Sequence, residues 1–426
     1  MGVRPTEVAA GRNVLAPAQT PLPAHPRSGS DDDNGVEIEK FPGGRAVRLR
    51  ELDTNPHPVL ARLRATEPVS WLPVLGGWLV TRYDLAVRVM RDAVTFTVDD
   101  PRFSTSRVVG PSMLSLDGAD HAHHREPFAH PFRPTRVRQQ FTGFIETETD
   151  RLISAIQPAG RAELRREFAG PLAVAVVTNA LGLRDINTDT VLSWYAAIVT
   201  AVSEVTAGRP VTTAGADAFG QLRSAVLRTI GRTDEPSPLS EAARAPEGLS
   251  QDEVVSNAAV LMFGGIDTTE GMIVNAVRHL HAVPEALALV RCDADLLSNA
   301  IEESIRLEPA AAVVDRYATR DVELGGARIQ CGDLVSVSIA GANRDPAVFT
   351  DPDRFNVHRA NARVNLAFAL GPHFCIGAHL ARTETTIALG RLLDRLPGLR
   401  LDPDHPNAPQ GLVFRKPPSL HVRWTA

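Results

Sequence analysis

Cys375, in Gly371-Pro372-His373-Phe374-Cys375-Ile376-Gly377, follows a Gly-Pro bend and opens a helix. Exposed N–H groups and the helix dipole at such a place favour a thiolate over a thiol. No Cys or His stands near it at zinc-ligand spacing, so a zinc site does not follow. One thiolate does suit a single axial bond to an iron already held by a macrocycle. A second group is Gly264-Gly265-Ile266-Asp267-Thr268-Thr269-Glu270. It lies inside a helical pattern, where each glycine costs about 1 kcal/mol against alanine. Either a neighbouring helix packs closely there, or backbone approaches a flat ligand. Asp267 and Thr268 are an acid and an alcohol about 100° apart on the helix. One can face a ligand while the other faces a polar channel, an arrangement suited to proton delivery. Glu270, i+3 from Asp267, either shares that path or forms a salt bridge, the latter being the preferred reading. A third group, Glu303 and Arg306, is an i,i+3 pair able to bond on one helix face.

Ser250 with Glu253 forms a capping box and starts the helix carrying Asp267 and Thr268. It should run to about Leu280, with Pro284 beyond. Shorter elements are expected as a helix from Pro58 to Thr66, a strand at 77–81 and a helix from Asp84 to Arg91. The middle, about 135–310, has helix-period apolar positions. Short strands with Gly-Gly and Cys-Gly turns follow from Val313 to Ser338, and a last long helix from Ile376 to Leu393. The expected class is mainly α with a minor β component, built around one long central helix. Residues 1–40, rich in Pro, Gly, Ser and Asp, read as a disordered tail. Folding is expected from Asn55 onward, within one large domain over 41–426.

The chain has 426 residues, 43% hydrophobic and 22% charged, with formal net charge −5. That balance argues against nucleic acid as a partner, which needs a basic face. Three cysteines, at 292, 331 and 375, exclude a disulfide framework and a Cys-rich zinc module. Cys292 and Cys331 lack the context of Cys375 and read as inert packing or loop residues. Lysine occurs only at 40 and 416, which reads as compositional bias. No stretch is long and apolar enough to span a membrane, and Pro17, Pro21, Pro23 and Pro26 break any signal-like region. A soluble, cytoplasmic protein is expected.

The stretch from Phe368 to Arg382 resembles the haem-binding signature of the cytochrome P-450 family, matching at Phe368, Gly371, His373, Cys375, Gly377, Leu380, Ala381 and Arg382. Glu303-Ser-Ile-Arg306 is similar to the family's Glu-x-x-Arg pair, and 264–268 to its oxygen-groove motif. Asp117 to Arg125 is similar to its His-x-x-x-Arg segment. Further similarity at 342–346 and 351–355 extends the resemblance over about 55–425, in the order of the bacterial type. The resemblance implies a cytochrome P-450-like fold holding haem b, iron protoporphyrin IX. It implies Cys375 as iron ligand, with Phe368 packed near the thiolate. His121, Arg125, Arg316 and His373 would hold the propionates, each having a plainer reading as a surface charge. Gly264 would give room over the iron, with Asp267 and Thr268 catalytic. Glu303 and Arg306 would be structural, with Arg354 or Arg359 as a third member.

By the same resemblance, the reaction inserts one atom of O2 into a substrate. Electrons would come from a ferredoxin and its NAD(P)H-dependent reductase, since no flavin domain is fused. Such donors are acidic, so Arg133, Arg136, Arg138 and Arg382 are candidates for a basic docking face. The implied protein is a monomer. Rival readings are oxidative coupling, peroxide-driven oxidation, which Asp267 and Thr268 disfavour, and a non-catalytic haem binder, against which the intact oxygen-groove motif argues. Pocket walls are expected from 98–116, 184–219, Met262, Phe263 and 310–314. The small apolar run 310–314 suggests a roomy pocket for a hydrophobic, natural-product-like molecule.

Overall fold

The computed structural model describes residues 40–183, 185–232, 237–244 and 248–425. The expected tail, apart from Lys40, lies outside the described residues. Secondary structure begins before Asn55, with helices Pro42–Arg45 and Leu49–Thr54. Phe41 explains this: it is buried edge-on against Trp78, ring centroids 5.1 Å apart. The Glu67 carboxylate also accepts the N–H groups of Gly43 (2.7 Å) and Gly44 (2.9 Å). Both partners lie more than twenty residues away, so a Pro-Gly-Gly run reads locally as tail.

A five-stranded sheet follows, in the spatial order Val69–Leu72, Gly77–Val80, Leu334–Ser338, Val313–Ala318, Phe96–Thr97. The pairing of Gly77–Val80 with Leu334–Ser338 is parallel and the others are antiparallel. All four residues of Val69–Leu72 are buried. A strand covered on both faces has no polar alternation, and the sequence reading missed it for that reason. Val322–Leu324 and Ala327–Ile329 form a hairpin across Gly325 and Gly326, whose φ of +56° and +85° glycine adopts without steric cost. A three-stranded sheet joins Arg161–Glu163, His421–Arg423 and Arg400–Leu401.

The rest is helical. The capping box at Ser250 forms as expected, Glu253 N–H donating to Ser250 Oγ (3.3 Å) and Ser250 N–H to Glu253 Oε2 (2.7 Å). The helix it starts, Gln251–Ala282, has 32 residues and is about 48 Å long. Its two adjacent glycines divide the two readings between them. A Cβ on Gly265 would lie 2.8 Å from Val177 Cγ2 of the helix Gly170–Leu181, so Gly265 serves close packing. A Cβ on Gly264 would meet nothing within 4 Å, so Gly264 faces open space.

Glu303 and Arg306 on the helix Leu296–Leu307 are both 0% exposed. Arg306 Nε and Nη2 donate to the Glu303 carboxylate at 2.7 and 2.9 Å. The third member is Arg359, whose Nε donates to both Glu303 oxygens (2.9 and 3.0 Å). Arg354 offers only its backbone carbonyl.

The last long helix is Ala378–Arg395. Its Glu384 is buried, with Oε1 lacking any partner among the described residues. Burial alone pushes this carboxyl up to about 8. A raised folded pKa contributes stability that is full below the unfolded value and lost as pH rises through the folded one. Wild-type stability to urea should therefore fall between pH 5 and pH 8.5. Glu384→Gln should remove this contribution to the fall and be the more stable protein at pH 8.5, by on the order of 1–3 kcal/mol. Equal pH slopes for the two proteins would refute the assignment.

Candidate active site

Cys375 lies between a bend and the start of the helix Ala378–Arg395. Gly371 has φ +72°, and a Cβ there would lie 2.6 Å from the Met90 carbonyl oxygen, so glycine is required. Ala369 has φ +56°, a left-handed value costing a residue with a side chain on the order of 1 kcal/mol. The Cys375 N–H donates to Phe368 O (2.8 Å), and the Ala378 N–H to Cys375 O (3.3 Å). Phe368 is buried with Met272, Ile305, Ala378 and Ala381, and Cys375 packs on that cluster, where the expected contact places it. Burial pushes the Cys375 thiol up, against the Gly377 N–H, Arg125 and Arg382, which favour the thiolate. Cys292 and Cys331 are exposed.

Four basic side chains come from three elements to one place. The helix Gly118–Ala129 supplies His121 and Arg125, the strand Val313–Ala318 supplies Arg316, and the turn Gly371–His373 supplies His373. The rings of His121 and His373 are 4.5 Å apart. His121 is 5% exposed, and its Nε2 has no partner among the described residues. Burial, with His373 and Arg125 adding to it, pushes His121 down to about 4. His373 Nε2 lies 2.8 Å from Asp117 Oδ1, and Asp117 also accepts from Thr97 Oγ and the Val98 N–H. Arg125 Nη2 donates to the Phe374 carbonyl (2.6 Å). Arg316 is 5% exposed, and its Nη1 donates to the Asp315 carbonyl (2.7 Å). His121 and Arg316 are therefore buried donors rather than surface charges.

Haem fits this set. A guanidinium has five N–H donors in a fork matched to carboxylates. Among the described residues, Arg316 donates one of them to protein, and the buried His121 Nε2 has no partner. Buried polar atoms without partners mark a place where a polar group is received, and a ligand with carboxylate arms meets that need. Gly264, exposed in the middle of a helix buried at Met262 and Ile266, opens the space beside it.

Thr268 Oγ donates to the Gly264 carbonyl at the edge of that space. Asp267 points elsewhere, as its place on the helix requires, and is paired with Lys416 Nζ. The same ammonium lies 3.1 Å from Glu270 Oε2, and Glu270 also pairs with Arg165. The salt bridge preferred for Glu270 is present. Burial pushes the Asp267 carboxyl up, but Lys416 and the Tyr195 hydroxyl pull it down further, below the usual carboxylate range. The Tyr195 ring lies 5.8 Å from Phe263. Lys416, Arg165 and Tyr195 were not found from sequence. The available signal was composition: Lys416 is one of two lysines among 45 Lys and Arg.

Among the expected walls, Leu114 is an exposed apolar residue, and Ala310 and Ala312 are buried. Ala311 bridges to Phe414, a further exposed apolar residue that the sequence reading did not include. Residue 184 of the expected wall lies outside the described residues. Arg133, Arg136 and Arg138 are exposed. Arg382, its side chain 28% exposed, pairs with Glu302 at 2.6 Å and covers the Phe368 ring at 4.2 Å. Among the described residues, no helix is long and apolar enough to cross a membrane.

A family model described as Cytochrome P450 matches residues 234–422. The chain is 35% identical over 363 residues to cytochrome P450 107B1 of Saccharopolyspora erythraea, covering 81% of this chain and 88% of that one. It is 33% identical over 407 residues to nocardicin C N-oxygenase of Nocardia uniformis, covering 91% and 99%. Among solved structures, CYP109E1 from Bacillus megaterium in complex with testosterone superposes with TM-score 0.81 at 25% identity, covering 89% of this chain and 100% of that one.

Proposed function

Because the chain belongs to the cytochrome P450 family and is a monooxygenase of that family, we propose that it inserts one oxygen atom from O2 into a hydrophobic, natural-product-like small molecule. Its haem is haem b, held in one domain over residues 41–426. Electrons come from a ferredoxin and its NAD(P)H-dependent reductase, which meet the face carrying Arg133, Arg136 and Arg138. The enzyme acts as a cytoplasmic monomer. Similarity to proteins named for nocardicin C and solved with testosterone supports a small organic substrate. The small side chains at 310–312 and the apolar Leu114 and Phe414 support a largely apolar pocket.

Cys375 would hold the iron. His121, Arg125, Arg316 and His373 would surround the propionates, and Asp117 keeps His373 in place. Bound haem supplies the oxygen-activating chemistry. The protein's task is then to exclude bulk water and bring protons to the open space at Gly264. Thr268 Oγ is the last hydroxyl on that route, and Asp267 stands one residue behind it on the polar side. The observation carrying this reading is an open glycine and a threonine hydroxyl on one buried helix, backed by an ion-paired acid.

Thr268→Ala should retain haem and consume NAD(P)H, but divert much of the oxygen to hydrogen peroxide. Asp267→Asn should slow turnover more than it uncouples it, within the 10²–10⁴-fold range typical of general acids. Product formed per NAD(P)H, measured for both variants and wild type with a substrate found by Soret shift, checks this. Unchanged coupling and rate in both would remove Asp267 and Thr268 from the mechanism. A carbon monoxide spectrum without turnover of any substrate that shifts the Soret band would favour a haem binder.

A further inference from the structure

The loop between the helices Ser104–Val109 and Gly118–Ala129 is fastened to the long helix at two successive residues. At Gly110, with φ +87°, a Cβ would lie 2.8 Å from Ser256 Oγ, so loop backbone rests directly on that side chain. Three residues on, the Met113 N–H donates to Asn257 Oδ1 (2.9 Å). Both residues are buried. Ser112 and Ser115 close a turn around Met113, the Ser112 N–H donating to Ser115 Oγ (3.1 Å). Leu114, beside the fastened residue, is left as an exposed apolar side chain. Asn257 and Gly264 are seven residues apart, so they share one face of the helix, about 10 Å apart along its axis. The loop therefore stands on the face that opens at Gly264.

Asn257 also holds a histidine. Its Nδ2 donates to the Glu253 carbonyl (2.8 Å) and lies 2.9 Å from Nδ1 of His124, on the helix that carries His121 and Arg125. The amide is oriented from both ends, because the Met113 N–H needs an acceptor and the Glu253 carbonyl a donor. The second Nδ2 hydrogen therefore meets His124 Nδ1, which must accept. That makes the imidazole neutral, with its proton on Nε2, 3.5 Å from Glu253 Oε1. A proton on Nδ1 would set two donors face to face. Turning the amide over would relieve them only by setting Nδ2 against the Met113 N–H and Oδ1 against the Glu253 carbonyl. Either the ring and the amide separate, or the Met113 N–H loses its acceptor.

Burial is the largest influence on His124 and pushes it down; Glu253 and Asp120 act against burial, and His123, its ring 5.8 Å away, adds to it. Loop residues 110–116 carry no titratable side chain. The helix Pro238–Arg244, packed on the same helix as the loop's end, carries Glu241 and Arg244, both exposed. We propose that Asn257 and His124 form a proton-sensitive clasp that sets Leu114 and the turn around it against the long helix, and so fixes how tightly an apolar substrate is held, an inference that rests on this loop being a wall of the proposed pocket. With His124 neutral the clasp is shut and the wall is fixed. As pH falls below the usual histidine range, His124 takes one proton from water, the clasp opens and the wall loosens. Asn257 and His124 are thus positioning residues, acting through Met113.

The test labels both ends of the clasp, histidine and methionine with 15N, in the haem-loaded ferrous carbon monoxide form. His124→Asn identifies the His124 signals among those of 13 histidines, and Met113→Leu identifies the Met113 amide among those of five methionines. At pH 7.5 His124 should be neutral with its proton on Nε2. As it titrates, the Met113 amide should exchange with solvent about tenfold faster relative to the Met262 amide of the long helix. In His124→Asn the new carboxamide oxygen can accept from Asn257 Nδ2 without titrating, so Met113 should stay protected over the same range. Asn257→Asp cannot donate to Nδ1 and should move the His124 titration upward. A proton on Nδ1 at pH 7.5, a His124 that stays neutral until the protein unfolds, or a Met113 amide indifferent to the titration overturns the proposal. So does a His124→Asn protein that loses Met113 protection as wild type does. The substrate found by Soret shift should bind more weakly as His124 titrates in wild type, and with constant Kd in His124→Asn; the same pH dependence in both overturns the link to the pocket. If no substrate is found, the proposed function fails while the labelled signals still decide how the clasp behaves.

Discussion

Cys375→Ser should abolish the thiolate-type carbon monoxide difference spectrum, while Cys292→Ser and Cys331→Ser leave it intact. Cys375 is the only one of the three tied to the long helix, through the cluster with Met272, Ile305 and Phe368. Cys292 ends the exposed side of a short helix, and the Cys331 thiol donates to the Thr319 carbonyl in a sheet turn. The hydroxyl of serine is too weak an acid to supply the soft anionic ligand that the chemistry needs. Haem content, read separately after extraction, should fall less than the spectrum, because the propionate donors remain. A thiolate-type spectrum surviving in Cys375→Ser and lost in Cys331→Ser would overturn the assignment.

The second large effect concerns folding. Arg306→Leu should destabilise the protein by about 3–5 kcal/mol, the usual result of leaving a buried charge short of its partner. Arg306 is fully buried, bidentate to Glu303, and donates to the carbonyls of Asn343 and Pro352 at 2.8 Å each. Its removal leaves those carbonyls and part of the Glu303 carboxylate unsatisfied at once. Arg306→Lys should rescue little, since one ammonium cannot reproduce the fork. Arg82→Leu is the control. Its pair with Asp84 is exposed on both sides and should cost at most about 1 kcal/mol. Urea denaturation of the three variants checks the contrast; equal losses for Arg306→Leu and Arg82→Leu would show that burial does not set the cost.

Both predictions begin in motifs visible as text, and both needed the fold to become specific. Helix boundaries were legible. The long helix begins where the Ser250 capping box places it, and the helix expected at Pro58 to Thr66 is His57–Thr66. The last helix, expected at Ile376 to Leu393, is displaced by two residues at each end. Caps, prolines and apolar spacing act over four residues or fewer, so the chain states them locally. The Glu303–Arg306 pair and the turn around Cys375 were legible for the same reason.

Contacts across large separations were not. Arg359 rather than Arg354 completes the triad because of how the loop after Asn343 folds back onto Leu296–Leu307. Lys416 reaches Asp267 across 149 positions, and nothing near either residue announces the other. The two glycines at 264 and 265 are identical as text. One meets Val177 and the other meets space, because a helix turn of about 100° aims them at different surroundings. What sequence alone established was the chemistry on offer: a thiol at a helix start, an acid beside an alcohol, and basic residues in number. Tertiary structure decided which of these are buried, which share a counter-ion and which face open space. That outcome depends on packing between segments far apart in the chain, where no local pattern can encode the partner.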